Sequence, residues 1–322
     1  MAASLGRLGY RLARNPRKYL HGSWWLPLLR TAWLRGRAAC LYKVPMLMRS
    51  VAGRSRNIVV FPTRMDHYQA AELYLAWKVF AACNLRMRGP QERDAALAIA
   101  WNATTSYELD QAQLDSLLSR MRVLNARCTD VRKSTVGRHF RAIFGYSLEV
   151  DPYTYTGPIV KKSENNGAHD GKLLHGPLTE VEPGYLYQRL VTYPTARGMA
   201  EWRMFIVGRK PVAVYRLYAP ADDRFKTGKE PELTNLHEEF SAEERAKIGE
   251  FCESIGLDFG NVDVLRDAED GRIYITDCNN TPTGPAKKFP VRLQLHMVRE
   301  IARAFRSEYL CDLRQAETSS RA

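Results

Sequence analysis

Residues 260–285 read GNVDVLRDAEDGRIYITDCNNTPTGP, two short apolar runs separated by an acidic, glycine-containing turn. Val262, Val264 and Leu265 supply the first run; Ile273 and Ile275 alternate with Tyr274 and Thr276 in the second. Asp270-Gly271 is a hairpin turn signal. A turn centred near Glu269 sets Asp263 level with residues 275–278, close to Asp277. Alternation along the strand turns Asn279 the same way as Asp277. Carboxylates that face each other across a hairpin repel, so the pair needs compensation. A divalent cation would supply it, since Asp263, Asp277 and Asn279 offer only hard oxygen ligands. Two solvated acids beside a surface turn are the alternative.

Working outward, Ser241 and Glu244 form a capping box for a helix that runs to Ile255, with Ile248, Phe251 and Ile255 on one side and Gly256 at its end. After the hairpin, a last helix is expected over Val291–Tyr309, carrying Leu295, Val298, Ile301 and Phe305 toward a core. Upstream, residues 201–207 (EWRMFIV), a turn at 208–210 and a strand over 211–218 make a second hairpin. It places Glu201, Arg203 and Arg216 on strands, where a buried arginine requires an anionic partner. Tyr185–Val191 is a further strand, whose backbone edge could face an adenine. In residues 158–177 (PIVKKSENNGAHDGKLLHGP) a strand ends at Lys161 and enters a polar loop with Gly167 and Gly171. Such a loop can turn N–H groups onto a phosphate, with the lysine as a point charge; an ordinary surface loop is the bland reading. Ser134 is expected to cap a helix with Val136, Phe140 and Ile143 inward and Gly145 at its end. Lys133 stands at its start, where an anion meets both an ammonium and free backbone donors.

The first part of the body is strand–helix–strand–helix. Asn57–Phe61 and Leu97–Trp101 read as buried strands. One helix, capped by Asp66, carries Leu73, Trp77 and Phe80; another carries Leu114, Leu117, Leu118 and Met121. That order suggests a small parallel sheet. It contains no glycine-rich dinucleotide fingerprint.

The 322 residues carry a net charge of +13, and its distribution is uneven. Met1–Met65 holds thirteen Lys or Arg and no acid, which leaves 48 − 13 = 35 basic residues against 35 acidic ones in the rest. Residues 1–56 thus form a basic arm, with Trp24, Trp25 and Trp33 among its arginines. It can lie on an anionic membrane surface, pack on the body, or act as a transit-type leader. No reading motif accompanies the charge, so nucleic acid is not an expected partner. No apolar run reaches the ~18–20 residues of a membrane span. Six cysteines without a C-x-x-C pair point away from a disulfide framework or zinc site and toward a reducing compartment.

In this order the parts resemble the ATP-grasp superfamily over about residues 126–304. The resemblance rests on a lysine before a helix, a V-K strand with a glycine loop, Q-R-L, and E-W-R-x-F-x-V-G-x-x-P-V. It closes with V-D-V-L-R-D and T-D-C-N-N-T-P. Asp263, Asp277, Asn279 and Pro282 fill the family's closing pattern. Two places depart from it: Asp277 stands where the family has a glutamate, and Gln188 where a glutamate is common.

The fold so implied is α/β, with two α+β subdomains over 126–191 and 192–310. They are preceded by a small parallel α/β domain over 57–125 and the arm over 1–56, and followed by a polar tail over 311–322. ATP would be held by Lys133 and Lys161 at its phosphates, covered by the loop from Ser163 to Gly171 that contains Gly167, and met at adenine by Gln188, Arg189, Leu190 and Val191. Glu201 would reach the ribose. Asp263, Asp277 and Asn279 would bind Mg²⁺, or Mn²⁺ in its place, and Arg203 and Arg216 would stabilise the transferring phosphoryl group or a carboxylate substrate. The implied activity is an ATP-dependent ligase that activates a small-molecule or glycan-linked carboxylate as an acyl phosphate for an amine or other nucleophile. The alternatives are a small-molecule or sugar kinase, and a non-catalytic ATP-binding module docked at a membrane. The expected location is cytoplasmic, peripheral at the inner face of the membrane.

Overall fold

The computed structural model describes residues 36, 40, 55–61, 74–165, 168, 170–221, 225 and 228–311. The chain divides into two compact units, 1–53 and 54–322, and the elements below belong to the second. Asp66, Leu73, Gly167, all of the arm but residues 36, 40, 55 and 56, and all of the tail but Cys311 lie outside the described residues. The helix with Trp77 and Phe80 starts at Leu75, with Tyr74 and not Asp66 at its N-cap.

Three sheets follow in chain order. In the first, β1 (Arg56–Phe61) pairs in parallel with β2 (Leu85–Arg88) and β3 (Leu97–Ala100), and β3 with β4 (Val123–Leu124). Helix α1 (Leu75–Ala82) precedes β2, and α2 (Gln111–Leu118) links β3 to β4. This is the parallel unit that the strand–helix alternation predicts. Leu118, expected on the inner face of α2, is instead 51% exposed. Asp110 caps that helix through a bond from the Gln113 N–H, and its last turn ends before Met121.

Helix α3 (Lys133–Phe144) leads to a three-stranded antiparallel sheet in the order β6 (Lys172–Gly176), β5 (Gly157–Ser163), β7 (Tyr185–Arg189). Ser134 is not the cap of α3. Arg132 holds that position without a side-chain bond, and Ser134 lies inside the first turn. Gly145 ends the helix in the left-handed region at φ 80°, where a Cβ would be strained.

The third sheet runs β11 (Glu230–Leu233), β10 (Lys210–Ala219), β9 (Gly198–Val207), β12 (Phe259–Arg266), β13 (Ile273–Asn279), with β8 (Pro194–Thr195) on the edge of β9. A short helix α4 (Leu236–Glu239) precedes α5 (Ala242–Ile255), which has the complete Ser241–Glu244 capping box. One face of this sheet packs Trp202, Met204, Val262 and Val264 against Phe140 of α3 and Ile248 and Phe251 of α5. Each of the large side chains buried there stabilises the fold by about 2–3 kcal/mol. Helix α6 (Val291–Tyr309) packs on α1 and buries Val298, Ile301 and Phe305. Leu295 is only half-buried. Among the described residues no helix is long and apolar enough to cross a membrane.

Asn125 locks the parallel sheet onto the third one. Its side chain is wholly buried, and its φ of 57° is one that asparagine tolerates. Oδ1 accepts from the N–H of Asp258 and of Phe259, each at 2.9 Å, and Nδ2 donates to the Phe259 carbonyl at 2.8 Å. Nδ2 also lies 3.3 Å from the carbonyl of Asn280, at the end of β13. The start of β12 and the end of β13 are thereby held together, which sets the hairpin that carries Asp263 and Asp277.

Candidate functional site

Pairing in a sheet puts opposed residues on one face. Across the third sheet one such row is Tyr215, Arg203, Asp263, Asp277. Asp263 and Asp277 are direct register partners, and a bulge follows Asp263. Asn279 lies two residues beyond Asp277 and pairs with Asn261, whose Oδ1 accepts from Asn279 Nδ2 at 3.0 Å.

The compensation that the acid pair needs comes first from Arg203. Its Nε and Nη2 donate to the two oxygens of Asp263 at 2.7 and 2.6 Å, a bidentate pair between residues 60 positions apart. Asp277 has no comparable clasp. Burial, and then the charge of Asp263, push its carboxyl up to about 7, while Lys133, Arg203 and Lys162 pull it the other way. At Asp277, burial and the neighbouring carboxylate thus outweigh the surrounding positive charge.

The small sheet supplies a lysine here, and it is Lys162, not Lys161. Adjacent strand residues face opposite ways. Lys161 turns to Glu182 in an ion pair and lies 4.2 Å over the Tyr185 ring. Burial holds the Lys162 ammonium below its ordinary range, against the opposing pull of Asp277 and then Glu201, with Lys133 and Lys229 adding repulsion. Lys162 thus lies among the charges of the candidate site. Val160, Leu173, Leu186 and Gln188 share its face through the register of β5 with β6 and β7. Leu173, 52% exposed, is an apolar surface beside that lysine.

Other expected residues separate. Arg189 turns away to Asp267 at 2.8 Å and to the Tyr274 hydroxyl, fastening β7 to the β12–β13 turn. The Leu190 N–H donates to the Pro158 carbonyl, and Val191 is buried in the core of the third sheet. The Ser163 N–H donates to Asp170 at 3.3 Å, and its Oγ is buried without a hydrogen-bond partner. Gln188 is buried and bridges to Glu149 through the backbone. Glu201 shares the face of Arg203 and pairs with Lys229, a residue that stood in no motif.

At the start of α3, Lys133 Nζ donates to the Asn165 carbonyl at 2.8 Å, and the Ser134 N–H donates to Glu164 Oε2 at 3.1 Å. The anion expected at this helix end is supplied by the chain itself. Phe225, from the β10–β11 connection, lies against Gly171: a Cβ there would come within 2.6 Å of its ring. It also lies 6.0 Å from Lys162 Nζ. Residues from the second and third sheets therefore meet at this site.

Arg216 does not join Arg203. It pairs with Trp202, one step out of register with the row above, so it emerges on the opposite face. There Nη2 reaches Glu239 at 2.5 Å, and Glu239 also accepts from Trp202 Nε1 at 2.7 Å and from Thr234. Burial opposes the charge on Glu239, but the bonds from Thr234, Arg216 and Trp202 outweigh it and hold its carboxyl below the ordinary glutamate range.

The donors fit magnesium in kind. Two level carboxylates and an amide on the same strand present oxygen, and Mg²⁺ ordinarily keeps water and phosphate oxygens at its other positions. Among the described residues no three His, Cys, Asp or Glu gather as a self-sufficient metal site. Arg203 would have to yield at least one Asp263 oxygen.

The chain is similar in structure to the ATP-grasp ligase PsnB. With PsnB complexed with a phosphomimetic variant of its minimal precursor, Mg and ADP, the TM-score is 0.51 at 14% identity, covering 79% of this chain and 99% of that one. With PsnB complexed with the minimal precursor the TM-score is 0.50, at the same identity and coverage. A D-alanine–D-alanine ligase from Bacillus anthracis aligns at a TM-score of 0.49 and 12% identity, over 82% of this chain and 100% of that one. No family model matches the sequence, and no curated protein does. What this likeness shows is architecture: the chain has the ATP-grasp fold.

Proposed function

We propose that the protein is an ATP- and Mg²⁺-dependent ligase that activates a carboxylate for attack by an amine or other nucleophile. The observation that carries this reading is the row Arg203–Asp263–Asp277, with Lys162 and Lys133 among its charges, on an ATP-grasp fold. Residues 126–191 and 192–310 are then the two halves of the grip, with 57–125 before them.

In this mechanism Lys133 and Lys162 hold the phosphate oxygens, and Glu164 leaves the α3 N-terminus as they arrive. Magnesium, bound by Asp263, Asp277 and Asn279, would neutralise phosphate charge. Arg203, freed from Asp263, steadies the transferring phosphoryl group. A substrate carboxylate oxygen attacks the γ-phosphorus, and the bond to the bridging oxygen breaks with its electron pair on ADP. The nucleophile then attacks the acyl carbon, phosphate departs, and the nucleophile's proton passes to solvent. No side-chain nucleophile is needed. Leu173, Leu186 and Gln188 are the residues placed to meet the base. Lys162 takes the role that the V-K motif suggested for Lys161.

Calorimetric titration with ADP tests the binding step: the affinity is expected to rise with Mg²⁺ and to lose that rise in Asp277→Asn. ADP release that requires both a carboxylate and an amine supports the ligase. A phosphorylated single hydroxyl substrate replaces it with a kinase, and no nucleotide binding with or without the metal overturns it.

A further inference from the structure

Outside the site, charge is segregated on α6 and the turn before it. Residues 287–306 hold six Lys or Arg and one acid, in a body whose charges otherwise lean acidic. Arg292, His296, Arg299 and Arg303 are all exposed. Their spacing of four, three and four residues keeps them within about 60° of one another on a helix, along roughly 17 Å of its length. Arg303 pairs with Glu300 at 2.7 Å. Arg292, His296 and Arg299 have no acidic partner among the described residues, so neighbouring acids leave the stripe unneutralised.

The helix begins with apolar groups beside these charges. Val291 is 40% exposed, and Leu293 and Leu295 are half-buried. A line of arginines with aliphatic side chains at one end suits an interface where anionic headgroups meet acyl chains. It lacks the aromatic stacking platform of a single-strand nucleic-acid site. The turn into α6 also adjoins the candidate site. The Phe289 ring meets Tyr215 edge-on at 5.4 Å, and Tyr215 is the register partner of Arg203. Lys288 bonds to the Gly228 carbonyl and Glu230, on either side of Lys229.

We propose that the exposed stripe of α6 docks the protein on an anionic lipid bilayer, with the N-terminal end of the helix bringing the edge of the candidate site to the membrane surface. Headgroup phosphates and carboxylates pair with Arg292, Arg299 and Arg303, and Val291 enters the acyl boundary. Docking is independent of nucleotide, so its test does not share an outcome with that of the ligase reading.

The full chain is sedimented with phosphatidylcholine vesicles, with and without phosphatidylserine. Wild type is expected to partition onto the anionic vesicles only, and less so as salt rises. Removing one basic residue at such a surface weakens partition about fivefold, so Arg292→Gln, Arg299→Gln and Arg303→Gln together are expected to weaken it about a hundredfold. A control with Arg93→Gln, Arg138→Gln and Arg141→Gln removes the same charge from other exposed positions and is expected to bind like wild type. Unchanged thermal midpoints establish that both variants are folded; if the triple variant unfolds, Arg299→Gln alone is expected to show the fivefold loss. The proposal is overturned if wild type ignores anionic vesicles, if α6 and control variants lose equally, or if the α6 variant loses retention of nucleic acid while keeping vesicle binding.

Discussion

Arg203 and Arg216 lie on the two strands of one hairpin, each pairs with a carboxylate, and the sheet sends them to opposite sides. Around Arg216 the acid is sealed. Glu239 is 7% exposed in its side chain and accepts from Trp202 and Thr234 as well, so its lone pairs are spent inside the fold. Around Arg203 the acid has a neighbour without a clasp of its own. Asp263 is clasped, yet Asp277 stands beside it with burial raising its carboxyl, Lys162 comes in from another sheet and Lys133 from the start of α3. A closed network contributes stability, whereas a level acid pair with one member raised by burial is suited to a ligand that brings a cation.

The sharpest way to break this contrast is to neutralise the open side. Asp263→Asn with Asp277→Asn is expected to lower kcat/KM for ADP formation about a thousandfold, several kcal/mol of lost charge stabilisation. The single Asp277→Asn should leave the thermal midpoint unchanged or higher, because it removes a buried like charge; a lower midpoint would show Asp277 to be structural. On the sealed side the same logic reverses. Glu239→Ala strands Arg216 and is expected to cost about 3 kcal/mol in urea unfolding, with nucleotide affinity of the folded protein unchanged.

Lys162→Met is expected to weaken ADP binding about tenfold by loss of a phosphate contact, and Lys161→Met to leave it unaltered. Equal effects in calorimetry would mean that strand parity does not decide which lysine reaches the nucleotide. The smallest effect is expected from Thr234→Ala, which removes one of the bonds to Glu239 and should cost about 1 kcal/mol of stability, measured as a shift in the urea midpoint.

Much of the architecture was legible because its signals are local. The Ser241–Glu244 box, the left-handed glycines 145 and 256, and the Asp270-Gly271 turn each act over a few residues, and each falls where the sequence places it. Strand β6 (KLLHG) was missed because its adjacent leucines show no alternation and a polar loop precedes it. The Ser134 cap failed because the acceptor at the start of α3 arrives from Glu164, 30 residues on.

The sequence by itself determined the acid hairpin and brought Asp263 close to Asp277; the bulge after Asp263 then makes the two direct partners. It also carried the order of parts that resembles an ATP-grasp fold. Only the tertiary structure decided which side of each strand faces the site. Parity along a strand is free until a neighbour sets its register, and the neighbours here are distant in the chain. Pairing of β9 with β12 gave Asp263 its Arg203, pairing of β9 with β10 turned Arg216 away, and the approach of the small sheet selected Lys162 over Lys161.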